Sequence, residues 1–591
     1  MAAFRSFENG DSFEWTRSKN HDWKADVLPV PGEPERPPVR LAVFHAFHTC
    51  ESDGDHVYPL LLESANGRAD WKLGPEIAET STLGLRIRDH NIQAAVDVPS
   101  KTATFRDTIV VERVPGPAGA SERRDFGLLR ISEDFELRSL RAEGGRPVPF
   151  QQAGGIVAFV PPNADRFTLT TEYSGTLDHR NGDYIHDDEA VIISYWYPHI
   201  ARLPATLSIA ATAPTGWTPI AQGEPVENHA NADGSRTYSW RNNIPTSFFT
   251  LDMGRYRIST RQWNGRLLSA YLLGDKPDSV ERLSRETLDL LQESLAFYEK
   301  TIGPFPYRRY AIVETRGPFN GALEAYSFAT FGPRTLPDYI PHELAHTWFG
   351  GIVPCAYTRS MWNEAFANYA DDLFRRAGRA KLRAKAEISA STAQRLEVRR
   401  QPASPYTNSS VESAFDTDDD RQNAVGYGKG AQILRLLEEE IGQEPMIRAI
   451  QQFVSRHPRG EAAEWPEFEA AVEQVTGRDQ RWFFAQWIAR AGVPRVAMTD
   501  ITVRKEGSQT WIDGNVRQTG PLYRLKLPVS VELRSGAAVT ATVELRDVNG
   551  AFHIPIAGAP DRVRLDPEAL VPMEAAAPAN GSSDPFTYQF P

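Results

Sequence analysis

The spacing of apolar positions divides the chain into regions of different period. From about Arg40 to Thr260, short β-branched and aromatic runs are separated by Gly, Pro, Asp and Asn; Leu41-Ala-Val-Phe-His-Ala-Phe47, Val191-Ile-Ile-Ser-Tyr-Trp-Tyr197 and Leu207-Ser-Ile-Ala-Ala-Thr212 are examples. Strands of this length between turn residues predict a sandwich-like β-sheet domain over residues 39–260. The period changes after Tyr271. Asp278-Ser-Val-Glu281 has the spacing of a capping box, and Leu283, Leu288, Leu291, Leu295 and Tyr298 follow at helical intervals as far as Gly303. A strand-like Tyr310-Ala-Ile-Val-Glu314 and a short segment Gly321–Tyr326 come next. Further helices are predicted over about 363–377, 431–441, 444–456 and 466–475, which makes 261–494 a mostly helical domain with a small sheet. Alternation returns from Met498. In Leu525–Leu533 every second residue is apolar, the pattern of a half-buried strand in a C-terminal β-sandwich over 495–573. The ends read differently: residues 1–38 finish in a Pro-rich run and predict an extended segment, and 574–591 predict a flexible tail on which Phe586, Tyr588 and Phe590 could dock. The expected fold class is therefore multidomain α+β, without internal repeats.

With 591 residues the chain is too long for one hydrophobic core, which agrees with several domains. Its net charge of −12, with no Lys/Arg block, argues against nucleic acid as a partner. Two cysteines, Cys50 and Cys355, make no disulfide framework and lean towards a reducing, cytoplasmic compartment. Residues 1–23 lack the apolar core of a signal peptide, although an exported chain with its leader removed looks the same, so a periplasmic or secreted location stays open. No run of eighteen apolar residues predicts a membrane span.

Candidate chemistry is concentrated in His342-Glu343-Leu-Ala-His346. Two histidines four apart on a helix share a face, so both imidazoles can reach one cation, and Glu343 borders that face as a general base. Asp338 is the expected N-cap, with Pro341 in the first turn and Gly350-Gly351 as the stop. A hydrolytic zinc site needs three protein ligands and an open position for water. In Trp362-Asn-Glu-Ala-Phe-Ala-Asn-Tyr369, Glu364 lies near the start of a second helix and can complete a His, His, Glu set. The alternative is a helical His-Glu-His cluster that binds nothing.

His342-Glu-Leu-Ala-His-Thr-Trp-Phe-Gly350 followed by Trp362-Asn-Glu-Ala-Phe-Ala367 resembles the gluzincin aminopeptidases of the aminopeptidase N family. Tyr298–Tyr307 resembles that family's approach to the active site, Tyr427-Gly-Lys-Gly-Ala431 its Tyr-x-Lys-Gly-Ala segment, and Gly321-Ala-Leu-Glu-Ala325 its Gly-Ala-Met-Glu-Asn exopeptidase motif. The resemblance implies a β saddle, a thermolysin-like catalytic domain and a C-terminal β-sandwich, without the large helical domain of longer members. It also implies one Zn²⁺ per chain held by His342, His346 and Glu364, and peptide substrates. Glu343 would take a proton from water and deliver it to the leaving amine. Tyr427 would donate to the oxyanion, a contact typically worth about 3 kcal/mol of barrier. Glu324 would pair with the substrate's α-ammonium, with Gly321 and Ala322 lining the peptide. Glu189, by its position ahead of Trp196-Tyr197-Pro198, is the candidate for a second ammonium contact; a solvated strand-end charge is the other reading. Cys355 reads as a small buried residue, and the acidic run Asp416–Asp420 as a hydrated loop.

Two positions depart from the family pattern. Seventeen residues, 347 to 363, separate His346 from Glu364 where the family usually has eighteen, a change the intervening loop can absorb. Ala325 replaces the usual Asn of the exopeptidase motif, which should alter how substrate or Glu324 is held. The expected activity is that of a zinc aminopeptidase. The alternatives are a zinc peptidase of unusual specificity, acting on modified, blocked or internal sites, and a non-catalytic binding scaffold.

Overall fold

The computed structural model describes residues 84–591 apart from 115–126, 154, 179–181, 195, 201–202, 275–276, 356–359, 379–394, 396–409, 415–422 and 577–584, and before residue 84 the backbone of five strands. Cys50 and the acidic run 416–420 lie outside the described residues. The chain divides into two units, Met1–Thr358 with Val454–Ala463, and Arg359–Phe453 with Glu464–Pro591.

In the first unit, the five early strands pair in sequence order as an antiparallel meander, Ser12–Thr16, Asp22–Pro29, Val39–Ala46, Val57–Glu63 and Lys72–Glu76. Two of them fall where the sequence predicts only an extended segment. A seven-stranded sheet follows, in the spatial order Glu224–Ala230, Arg236–Thr246, Ala205–Ala213, Leu85–Asp97, Thr102–Arg113, Arg166–Thr176 and Phe135–Ala142. Strict alternation along Ala205–Ala213 gives it one buried face, as a period of two requires. Its core is aromatic: Phe105 stacks on Tyr173 with ring centroids 5.0 Å apart and meets Trp196 at 5.1 Å. A four-stranded sheet, Tyr184–Ile185, Glu189–Ile192, Leu251–Gly254 and Thr218–Ala221, completes the β-rich region.

A further five-stranded sheet carries the candidate site. Its order is Arg257–Trp263, Arg266–Leu272, Arg309–Glu314, Phe328–Phe331 and Ala322–Glu324, with the last strand at the edge. The first two form a hairpin whose turn residues Asn264 and Gly265 have φ of 47° and 74°, the left-handed pair that an Asn-Gly hairpin turn needs. Register fixes the two faces. Glu324 pairs with Ala329 and Ala329 with Ile312, so these side chains share one face with Tyr310. Ala311, Val313, Ala325 and Phe328 form an apolar cluster with Ile220 on the other. Helix α1 (Pro277–Thr301) packs against strand Arg266–Leu272 and against α2 (Ile340–Ala345), burying Leu288, Leu291, Leu295 and Tyr298 at the expected intervals. It begins one residue before Asp278, so Asp278 lies in its first turn rather than at its cap.

The second unit holds α3 (Trp362–Arg376), a π-helical turn Ala424–Lys429, α4 (Gly430–Ile441), most of α5 (Gln443–Arg456) and α6 (Trp465–Thr476). Phe366 of α3 lies 4.8 Å from Phe468 and 5.6 Å from Trp465, and Trp362 lies 5.5 Å from Phe453; this cluster seats the helix. Two four-stranded sheets follow from Arg495. The expected flexible tail instead adds a strand to each. Glu574–Ala575 pairs with Arg495–Val496, and Thr587–Gln589 with Arg562–Arg564, anchored by Phe586 at 3% exposure. The chain is thus a multidomain α+β fold with a β-rich N-terminal region, a helical middle and C-terminal sheets.

Between the four-stranded sheet and the chemistry-bearing sheet lie buried acids. Asp252 accepts from the Thr330 hydroxyl, and Asp183 accepts from the Ile193 and Ser194 amides at 2.6 and 2.9 Å. Burial pushes Asp252 up to about 7, partly offset by the Thr330 hydrogen bond and reinforced by the Glu189 and Asp183 charges. Folded protein therefore holds a proton on Asp252 from its ordinary value of 3.8 up to about 7, where the unfolded chain does not. Stability from this group is full at acidic pH and is lost as pH rises through that window. Asp252→Asn keeps an acceptor for Thr330 and removes the titration. Its melting temperature relative to the parent should be higher at pH 8 than at pH 5, and an equal difference at both values would contradict the assignment.

Candidate active site

Pro341 in the first turn of α2 costs no helical bond, because the first N–H groups of a helix have no intrahelical partner. The N-cap is Tyr339, without a side-chain cap bond, and not Asp338. The helix is short because the chain folds back at once: Gly350 has φ of 111°, its N–H donates to the Val353 carbonyl at 2.8 Å, and the Gly351 N–H donates to the His346 carbonyl at 3.0 Å. His346 keeps helical angles, φ −61° and ψ −17°, so the two histidines remain on one face with ring centroids 4.8 Å apart.

The two Nε2 atoms stand 3.1 Å apart. His346 Nδ1 lies 3.0 Å from the Phe349 carbonyl, which can only accept, so Nδ1 carries the proton and Nε2 presents its lone pair towards His342. Two nitrogens bound to one tetrahedral zinc at about 2.0–2.1 Å sit roughly 3.3 Å apart, so this pair fits such an ion. Around it the residues are buried: His342 is 7% exposed, Glu343 3%, His346 0% and Glu324 4%. One ligand atom from each of Glu324, Glu343 and His346 lies within 4.8 Å of the others, and Glu324 Oε1 is 3.7 Å from His346 Nδ1. The first unit therefore brings His342, Glu343, His346 and Glu324 together.

Glu324 comes from the strand Ala322–Glu324, which pairs with Phe328–Phe331 and is last in its sheet among the described residues. Gly321, just before it, is fixed by its carbonyl, which accepts the Gly332 N–H at 2.8 Å and the Thr335 hydroxyl at 3.2 Å. Tyr326 then turns the chain with φ of 63°, rare for a bulky residue, and its carbonyl accepts the Thr347 hydroxyl at 2.8 Å. Ala325 does not face this group. It is fully buried in the apolar cluster on the opposite sheet face, against the expectation that its missing amide would bear on substrate or on Glu324.

Glu189 is not a solvated charge: it is 2% exposed, and its carboxylate accepts the Arg316 N–H at 3.0 Å and the Tyr184 hydroxyl at 3.2 Å. Burial raises its pKa, with the Arg316 amide opposing. It belongs with the buried acids Asp252 and Asp183 and pins the segment that leads to Gly321. Cys355 is fully buried, as expected of a small buried residue.

In the second unit, Glu364 occupies the first turn of α3, 7% exposed, with its Oε1 accepting from the Asn363 amide at 3.2 Å. Tyr427 lies in the π-helical turn, and its carbonyl accepts the Asn368 amide of α3 at 3.1 Å, which ties the two segments together. Close approach explains the glycines: a Cβ on Gly430 would stand 2.6 Å from that of Ala365. Lys429, fully buried, donates to the Gly492 carbonyl at 2.9 Å, and burial pushes it down to about 8. The sequence does not reveal this turn, because one extra residue in a helix leaves the hydrophobic period almost unchanged. Thr347 and Tyr310 were also missed. Tyr310 carried a signal, as the first apolar position of its strand.

Residues 286–487 match the Peptidase family M1 domain. An aminopeptidase N of Streptomyces lividans is 26% identical over 440 residues, 70% of this chain and 47% of that protein. A leucyl aminopeptidase of Saccharolobus solfataricus is 25% identical over 349 residues, 54% of this chain and 42% of that protein. A tricorn protease-interacting factor F2 of Thermoplasma volcanium is 24% identical over 340 residues, 52% of this chain and 42% of that protein. The chain spans less than half the length of these curated relatives. Legionella pneumophila aminopeptidase A, solved in complex with aspartic acid, shares the fold with a TM-score of 0.65 at 16% identity, over 85% of this chain and 61% of that one. Residues 286–487 of this chain are thus similar to the Peptidase family M1 domain.

Proposed function

We propose that this chain is a zinc-dependent aminopeptidase that removes N-terminal residues from peptides. The observation that carries the reading is the convergence of the His342 and His346 Nε2 atoms at 3.1 Å, with the Glu343 carboxylate buried among them, inside an M1 domain. The names of the relatives support the exopeptidase half. Glu364 is proposed as the third ligand, on the strength of the Trp362-Asn-Glu-Ala-Phe-Ala resemblance. When bound, the ion supplies the positive charge that makes a coordinated water acidic near neutral pH.

The remaining steps belong to side chains. Glu343 takes the proton of the attacking water and returns it to the leaving amine. Tyr427 donates its phenolic hydrogen to the developing oxyanion. The outer edge of Ala322–Glu324, last in its sheet among the described residues, offers with Gly321 backbone groups to an extended peptide. At the end of that strand Glu324 supplies the charge for a free α-ammonium. Because Ala325 points into the opposite apolar face, its difference from the family Asn leaves Glu324 in place, and a requirement for a free amine follows.

Purified protein should hold one zinc per chain and cleave free-amine aminoacyl reporters while sparing their N-acetylated counterparts. Equal cleavage of both sets would sink the exopeptidase reading. Glu343→Gln should retain zinc, measured by elemental analysis, and lose at least about a hundred-fold in kcat, the scale of a general base. Zinc-loaded protein without turnover on either set or on mixed peptides would favour the scaffold. Ala325→Asn would place an amide among Ile220, Val313 and Phe328. It should cost about 1–3 kcal/mol in urea unfolding, and an unchanged midpoint would show that the amide finds a polar partner.

A further inference from the structure

The hydroxyl of Tyr310 is buried and has no hydrogen-bond partner among the described residues. The residue is 0% exposed, on strand Arg309–Glu314, and its ring meets Phe305 edge-on at 6.0 Å. A buried hydroxyl without an acceptor is costly, and it persists where another state of the protein supplies the acceptor. Phenylalanine would fill the same apolar space without that cost.

The register shows what lies near it. Tyr310 and Ile312 project from the sheet face that also bears Ala329 and Glu324, and α1 and α2 contribute to the layer above that sheet. From α1, the Tyr298 hydroxyl donates to the Pro341 carbonyl at 3.0 Å, which fixes the first turn of α2 ahead of His342. Burial above all, and then the charges of Glu343 and Glu324, hold the Tyr310 proton on well above the usual tyrosine range. The hydroxyl therefore stays a donor, on the sheet face that bears Glu324, whose carboxylate lies within 4.8 Å of that of Glu343.

We propose that Tyr310 is a positioning residue: in the metal-loaded protein its hydroxyl donates a hydrogen bond to the Glu343 carboxylate and holds it towards the water it deprotonates. The proposal rests on the peptidase reading above. A hydrogen bond from a neutral phenol to a buried carboxylate is short and directional, which suits a base that must keep one rotamer through proton transfer and return. The contact bears on the base alone, so it should act on kcat rather than on substrate affinity.

The test compares the full-length parent, Tyr310→Phe and Tyr307→Phe, each zinc-loaded. Tyr307 is the control, a buried phenol whose hydroxyl donates to Asn242 Oδ1 at 3.4 Å. Tyr310→Phe should lower kcat at least ten-fold on a free-amine reporter, leave KM within two-fold, keep one zinc per chain and melt no lower than the parent. Tyr307→Phe should melt lower and turn over as the parent does. A Tyr310→Phe variant with parental kcat overturns the proposal, as does one whose lost rate merely tracks a lower melting temperature. A crystal structure of the zinc-loaded parent reads the same contact without activity. Tyr310 Oη within 3.2 Å of a Glu343 oxygen, directly or through one water, supports it; Oη with no such acceptor removes it. An inactive parent with the contact present would instead count against the peptidase reading.

Discussion

The contact on which the site depends is the one between His346 Nδ1 and the Phe349 carbonyl, 3.0 Å apart. It decides which nitrogen of His346 carries a proton, and so leaves Nε2 with the lone pair that a cation would need. The carbonyl is available because the chain reverses immediately after the helix. Residues 346–351 turn tightly enough that the Gly351 N–H meets the His346 carbonyl at 3.0 Å, and Gly350 adopts φ of 111°, where a Cβ would be strained. The glycine pair that a sequence reading treats as a helix stop thus also orients a ligand. A longer helix would have used Phe349 in its own ladder and left the ring of His346 without its acceptor.

How much of this was legible follows from what kind of interaction each part needs. The histidine pair, Glu343 and the helices around residues 277–301 and 362–376 were readable, because a period of 3.6 and a spacing of four are local properties of a string. The end of α2 was not, since Asp338 is a good cap residue in isolation while the fold places Tyr339 there. The C-terminal strand was legible only in part, as Phe586, Tyr588 and Phe590 able to dock at the end of an alanine-, proline- and serine-rich tail. Its docking rests on Phe586 and on pairing with Arg562–Arg564, which lie two dozen residues earlier and are brought alongside only by the fold. The π-helical turn bearing Tyr427 depends on i to i+5 bonds that no side-chain pattern announces.

Ala325 shows the same limit from the other direction. As a letter in a motif it looks like a lost functional group, two positions away from a residue that matters being as suspicious as one. The pleat resolves it. In a strand, neighbours face opposite ways, and the register carries Glu324 to the helix side and Ala325 to the side closed by Ile220. A departure from a motif has to be placed on a face before it is read as chemistry.

That division of faces organises the sheet as a whole. One side is apolar and packs on the β-rich region; the other carries Tyr310 and Glu324, groups that are expensive to bury. The cost extends to the hydrogen bonds that link this sheet to the four-stranded sheet: Asp252 accepts from Thr330, and Glu189 from the Arg316 amide. Both acids are costly to bury, though losing either would leave the Thr330 hydroxyl or the Arg316 amide without its acceptor. What the polar links provide is direction. Thr330 lies opposite Leu323, beside Glu324, and Arg316 lies on the segment that leads into Gly321, so both acids restrain the ends of the same short edge strand. A three-residue strand paired on one side has little of its own to hold it in place. Two buried acids fixing its partner and its approach give it the rigidity that a longer strand would draw from its own ladder.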